Sequence, residues 1–183
     1  MDNTTILVIV AVVAILAIAA AVIFQRRRST KLREHYGTEY ARAVEEAGGR
    51  RKAEAELAHR EKRMKAFTIQ PLSLVDRDRY VGSWRVVQEE FVDDPGTAVV
   101  HADELVETVM TAQGYPMTDF EQAAADLSVE HPVVVQNYRA AHDIVRQKRT
   151  GGVGTEDLRQ AMIHYRTLFD ELVGGGTGGA AHA

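Results

Sequence analysis

The chain opens on five residues, MDNTT, and then runs ILVIVAVVAILAIAAAVIF without interruption from Ile6 to Phe24. These nineteen residues include no charge, glycine or proline, and thirteen are Ile, Val, Leu or Phe. As a helix rising about 1.5 Å per residue the run is about 28 Å long, close to a hydrocarbon layer of about 30 Å. The pattern predicts a transmembrane helix over 6–24 behind a short tail over 1–5. A cleaved signal peptide is the rival, since Ala17, Ala19 and Ala21 resemble cleavage-site residues. No basic residue precedes the run, however, and it is long for a signal core.

The pattern changes at once after Phe24. Residues 25–70 form a basic, helix-favouring stalk rich in Glu, Lys, Arg and Ala. Leu32, Tyr36, Tyr40, Ala43 and Ala47 recur at three- and four-residue steps, and Ala53, Leu57 and Met64 resume a weaker stripe after Gly48-Gly49. Two charged helices with a bend at the glycines are expected.

Residues 71–173 show stronger periodicity and predict a compact all-α head of about five helices. Ser73, with Asp76 three residues on, marks a helix start, and Val81, Trp84, Val87 or Gln88, and Phe91 trace its inner face. From about Thr97, Val99, Ala102, Leu105, Val106, Val109 and Met110 form the next stripe, and Gly114 suits a left-handed cap. Thr118 with Glu121 resembles a capping box ahead of Phe120, Ala124 and Leu127. Pro132 falls where a first helical turn tolerates it, before Val134, Tyr138, Ala141 and Val145. Thr155, helped by Asp157, caps a last helix on Leu158, Met162, Tyr165, Phe169 and Leu172. No stretch alternates long enough to argue for a sheet. The tail over 174–183, GGGTGGAAHA, is expected to be disordered.

Charge adds an orientation. Residues 25–66 hold thirteen Lys and Arg against seven Asp and Glu, whereas residues 67–183 hold nine against eighteen. Arg26, Arg27, Arg28, Lys31 and Arg33 crowd one end of the apolar run, as cytoplasmic flanks of a span do. The expected place is thus a cell membrane, single-pass, with the N-terminus outside and the head in the cytoplasm. Those five cations are candidates for lipid headgroup contact, and the bilayer is the first expected partner. Ala14, Ala17 and Ala21 give the span a small-residue stripe, a hint of weak self-association. Nucleic acid is not expected, because the stalk's positives are interleaved with acids and few aromatics.

Chemistry narrows mostly by exclusion. Without cysteine there are no disulfides, thiolate metal sites or cysteine nucleophiles. "GGVGTED" lacks the Lys-Ser or Lys-Thr of a phosphate loop, and "VGSW" lacks the second glycine of a nucleophile elbow. Glu56-Leu-Ala-His59 is one E-x-x-H unit without the second that a di-iron bundle needs. The carboxylates of Asp76 and Asp78 point to different sides of a helix. No catalytic residue and no cofactor is assigned. The metal or acid–base candidates are His131, His142 and His164, which lie near Asp126, Glu130 and Asp157 in sequence. Glu89, Glu90, Asp93 and Asp94 form an acidic patch that could dock a basic partner.

The segments "YGTEYARAV", "KAEAELAHREKR", "WRVVQEEFVDDP", "ADELVETVM", "GYP", "ADLSVEHP" and "TEDLRQAMIHYRTLFDELV" cover most of residues 36–173. Through them the chain resembles uncharacterised bacterial single-pass membrane proteins, some labelled secreted. That resemblance implies architecture and a bacterial origin, and no activity. The arginines after Phe24 argue against the secreted label. Three functions follow as expectations: a membrane-anchored, non-enzymatic protein-interaction or scaffold module; a histidine-based metal-binding or enzymatic head; and an accessory protein binding anionic lipid through the stalk. Arg50, Arg51, Lys52, Arg60, Lys62, Arg63 and Lys65 would carry the third.

Overall fold

The computed structural model describes residues 3–148 and 151–174, with side chains from residue 11 onward. The described residues form eight helices and no strand: α1 (Asn3–Tyr36), α2 (Thr38–Glu46), α3 (Arg50–Met64), α4 (Leu74–Asp93), α5 (Pro95–Gln113), α6 (Phe120–Glu130), α7 (Val135–Lys148) and α8 (Thr155–Gly174). The all-α expectation stands. The chain divides into two compact units, residues 1–57 and 58–183.

The expected transmembrane helix does not stand. Among the described residues no helix is long and apolar enough to cross a membrane. α1 continues without a break through Arg26, Arg27 and Arg28 to Tyr36, so its apolar part leads directly into a charged one. Of the expected tail over 1–5, residues 3–5 already belong to α1, and residues 1–2 lie outside the described residues. The disorder expected at the C-terminus falls, from residue 175 on, outside them as well.

In the first unit the stalk folds on itself. Gly37, at φ 52 and ψ −120, ends α1 in backbone space that glycine enters most freely. This break divides what the pattern presents as a single helix before Gly48-Gly49. Leu32, Tyr36, Tyr40, Ala43, Ala53 and Leu57 then close a small core, with Val44 and Ala47 packed against it. The apolar side chains of α1 from Val12 to Phe24 stay exposed.

The second unit is built around α5 and α8. α4 and α8 both pack on α5, and α7 packs on α8 and α5. Val99, Ala102, Val106, Val109 and Met110 of α5 are fully buried, and Tyr165, Leu168, Phe169 and Leu172 of α8 meet them in one core. Several helix starts differ from the expected ones because an aspartate lies nearer the end. α5 begins at Pro95, since Asp94 accepts the Thr97 N–H at 3.0 Å and proline tolerates the first turn. Asp119 caps α6 through the Gln122 N–H at 2.9 Å, in place of Thr118. Pro132 lies in the turn before α7, and α8 starts at Thr155, with Asp157 accepting the Gly154 N–H at 3.0 Å. Ser73 caps α4 as expected, accepting the Asp76 N–H at 3.1 Å.

Gly114 ends α5 in the left-handed region, at φ 97. A Cβ there would come within 2.7 Å of the Thr68 carbonyl oxygen, a backbone atom that cannot swing aside. Gly114→Ala is expected to destabilise the second unit by more than about 1 kcal/mol in urea titrations. Gly82, inside α4 with nothing within 4 Å of its virtual Cβ, gives the opposite sign. Gly82→Ala should stabilise by about 0.5–1 kcal/mol.

Candidate functional site

Two surfaces concentrate chemistry, one in each unit. In the first, α1 supplies Ser29, α2 supplies Tyr40, and α3 supplies Arg50 and Glu54. The buried Glu54 Oε1 accepts from the Ser29 hydroxyl at 2.5 Å, the Tyr40 hydroxyl at 2.9 Å and Arg50 Nε at 3.2 Å. Arg50 Nη2 also donates to the Ser29 oxygen. Burial pushes the Glu54 carboxyl upward, but the three donors outweigh it and hold the group below the usual carboxylate range. Gln25, Arg26, Arg51 and Val22 join Ser29, Arg50 and Glu54 around a cleft of about 200 Å³. Of the cations expected at lipid headgroups, only Arg26 lines it. Arg27, Arg28, Lys31 and Arg33 are exposed, and Arg33 stands 5.8 Å above the Tyr40 ring.

In the second unit α4 has apolar residues on two faces. Tyr80, Trp84 and Val87 turn inward, with Trp84 stacked on Phe169 at 4.8 Å and 16°. Leu74, Val75, Val81, Val86 and Val92 are exposed, Leu74, Val75 and Val92 to about four-fifths. At about 100° per residue Leu74, Val81 and Val92 share one stripe, and Val75 and Val86 lie on the neighbouring one. Asp78, Glu89 and Asp93 stand among them, with Arg85 between the stripes and Arg77 and Arg79 exposed along their edges. Val81 was expected inside, beside Trp84, and Tyr80 takes that place.

The acidic patch is divided in use. Glu90 pairs with His101 Nδ1 at 2.6 Å, and Asp94 is spent on capping α5, whereas Glu89 and Asp93 face outward. The three candidate histidines have separate surroundings. His131 Nδ1 lies 3.1 Å from Glu171, His164 Nδ1 lies 2.8 Å from Asn137 Oδ1, and His142 stacks on Phe120 at 3.5 Å. Burial lowers the His142 pKa against the pull of Asp103. Among the described residues no group of three or more His, Asp or Glu could hold a metal ion.

Two further buried polar links were not foreseen. The Tyr165 hydroxyl donates to Asp103 Oδ1 at 2.9 Å, and burial beside that carboxylate pushes the phenol well above its ordinary range. Asp126, fully buried on α6, accepts from Arg63 Nη2 at 2.7 Å and from Gln122 Nε2 at 3.0 Å. Neither link is legible in spacing, because each joins residues more than sixty positions apart in Tyr165–Asp103 and Arg63–Asp126. No family model, no curated protein and no solved structure matches the chain.

Proposed function

We propose that this chain is a non-enzymatic helical interaction module whose α4 outer face receives a basic amphipathic helix of a partner protein. The observation that carries the reading is the second apolar face of α4, Leu74, Val75, Val81, Val86 and Val92, left outside a core that its first face already fills. Single exposed apolar residues are ordinary, but five on two adjacent stripes of one helix form a patch of the kind that marks contact surfaces. Charge selects the partner. Asp78, Glu89 and Asp93 are set against Arg77, Arg79 and Arg85 on the face itself, and the acidic excess comes from residues 67–183 as a whole, eighteen acids against nine Lys and Arg. A helix with apolar anchors at i, i+3, i+4 and i+7 and lysine or arginine flanks complements both features.

The test uses a synthetic Leu/Lys amphipathic helical peptide and the full chain, with binding followed by calorimetry. Binding should weaken with added salt and fall about tenfold or more in Val86→Asp, a central position. Val133→Asp serves as control, because Val133 is more exposed than Val86 but lies outside α4. Unchanged helicity and unchanged Trp84 emission would show that Val86→Asp is folded. Peptide binding equal in Val86→Asp, Val133→Asp and the parent chain would refute the reading.

A further inference from the structure

The cleft beside Glu54 plays no part in docking at α4, and its chemistry is of another kind. Arg26, Arg50 and Arg51 line it together with Gln25 and Ser29. Its single acid, Glu54, is buried at the base and engaged by Ser29, Tyr40 and Arg50, so the groups left to face a ligand are cationic. The Arg50 guanidinium is gripped at Nε and Nη2, while 63% of its side chain remains exposed. A guanidinium fixed along one edge is an oriented fork, the geometry that suits tetrahedral oxyanions.

The start of α3 points the same way. Arg50, Arg51 and Lys52 occupy its first turn, which holds no acid, and only Arg50 has a carboxylate partner one turn on, Glu54. A helix N-terminus already carries partial positive charge and unpaired N–H groups, so three consecutive cations there oppose the helix's own dipole. Local charge placed against the fold's interest is expected where a ligand supplies the balance. We propose that this cleft binds a phosphate group, held by Arg26, Arg50 and Arg51 with Gln25 and Ser29 as neutral donors. Phosphate chemistry is common to a phospholipid headgroup and to a soluble phosphate ester. Val22 at the edge of the cleft, and Ile18, Ile23 and Phe24 exposed on the same helix, give acyl chains a surface to meet in the first case.

The experiment uses the full chain, Arg26→Gln/Arg51→Gln, and Lys31→Gln as a control that removes one exposed charge from α1 outside the cleft. Arg26 and Arg51 lie outside the Glu54 hydrogen bonds, so the double variant should keep its fold. Inorganic phosphate is titrated by calorimetry. Cosedimentation is measured with phosphatidylcholine vesicles, with and without phosphatidic acid. Phosphate binding that drops about tenfold or more in the double variant but not in Lys31→Gln supports the site with a soluble ligand. A phosphatidic-acid-dependent increment lost in the same selective way, without binding of free phosphate, supports it with a lipid ligand. Binding in both arms that survives the double variant, that falls equally in Lys31→Gln, or that is absent from the parent chain overturns the proposal.

Discussion

Phe169→Ala is expected to destabilise the second unit by about 3–5 kcal/mol, the largest loss from any single truncation considered for this chain. Phe169 is 2% exposed and sits between α8 and the inner face of α4, where it stacks on Trp84. Truncation removes the buried ring, leaves a cavity in the core beside Trp84, and ends an aromatic pairing worth about 0.5–1.5 kcal/mol beyond its area. The Trp84 Nε1 has no hydrogen-bond partner among the described residues, so the indole is held by packing alone. Relaxation into the cavity should therefore move it readily. As the only tryptophan, Trp84 reports this directly: urea unfolding followed by its emission should show an earlier midpoint and a red-shifted native baseline. Phe169→Leu, which keeps most of the volume, should cost less than about 1.5 kcal/mol. A midpoint for Phe169→Ala within error of the parent would mean that α4 and α8 do not depend on this contact.

The elements that the sequence makes legible are those whose burial is one-sided. The stripe of Val99, Ala102, Val106 and Val109 on α5 and that of Leu158, Met162, Tyr165 and Phe169 on α8 stand in the core where the periodicity puts them. Gly114 ends α5 as expected because only glycine enters that backbone region without strain. α4 misleads for the opposite reason. With apolar residues around most of its circumference, spacing alone does not say whether Val81 or Tyr80 turns inward, and the bulky aromatic takes the core. Caps shift by a residue or two where aspartate competes with threonine, as at Asp119 against Thr118. The apolar run of α1 is legible as apolar and helical, but among the described residues no helix is long and apolar enough to cross a membrane.

Polar sites were less legible than the core. Glu54 reads in sequence as one more acid in a charged stalk, and only its i, i+4 spacing from Arg50 hints at a pair. Ser29 and Tyr40 reach it through tertiary folding at Gly37 and Gly48-Gly49, across twenty-five and fourteen residues. The histidines show the converse. They cluster in sequence among acids, yet the end of α6, α7 and α8 deliver them separately, His131 to Glu171, His142 to Phe120 and His164 to Asn137. A pair of carboxylate and cation separated by sixty-three positions, Asp126 with Arg63, leaves no periodic trace at all.

That pair yields the second large effect. Arg63→Ala is expected to cost about 3 kcal/mol, because it strips the principal cation from a fully buried carboxylate. Gln122 would still donate to Oδ1, and Arg60 would still act at longer range, which keeps the loss at the lower end of the usual span. Asp126→Asn combined with Arg63→Ala should recover most of it, since a neutral amide in the same place needs no counter-charge. The pH dependence has a definite sign. Burial already raises the Asp126 carboxyl above its ordinary value, against the opposing pull of Arg63, Gln122 and Arg60. Removing Arg63 raises it further, so the folded state takes up a proton more readily than the unfolded chain. The penalty is then fully present above the folded-state pKa and is relieved as pH falls through it. Urea titrations of Arg63→Ala should accordingly show a deficit that shrinks from neutral pH toward acid, while Arg63→Ala/Asp126→Asn shows no such trend. A single variant with parent-like stability at neutral pH would mean that Gln122 and Arg60 suffice to hold the buried charge.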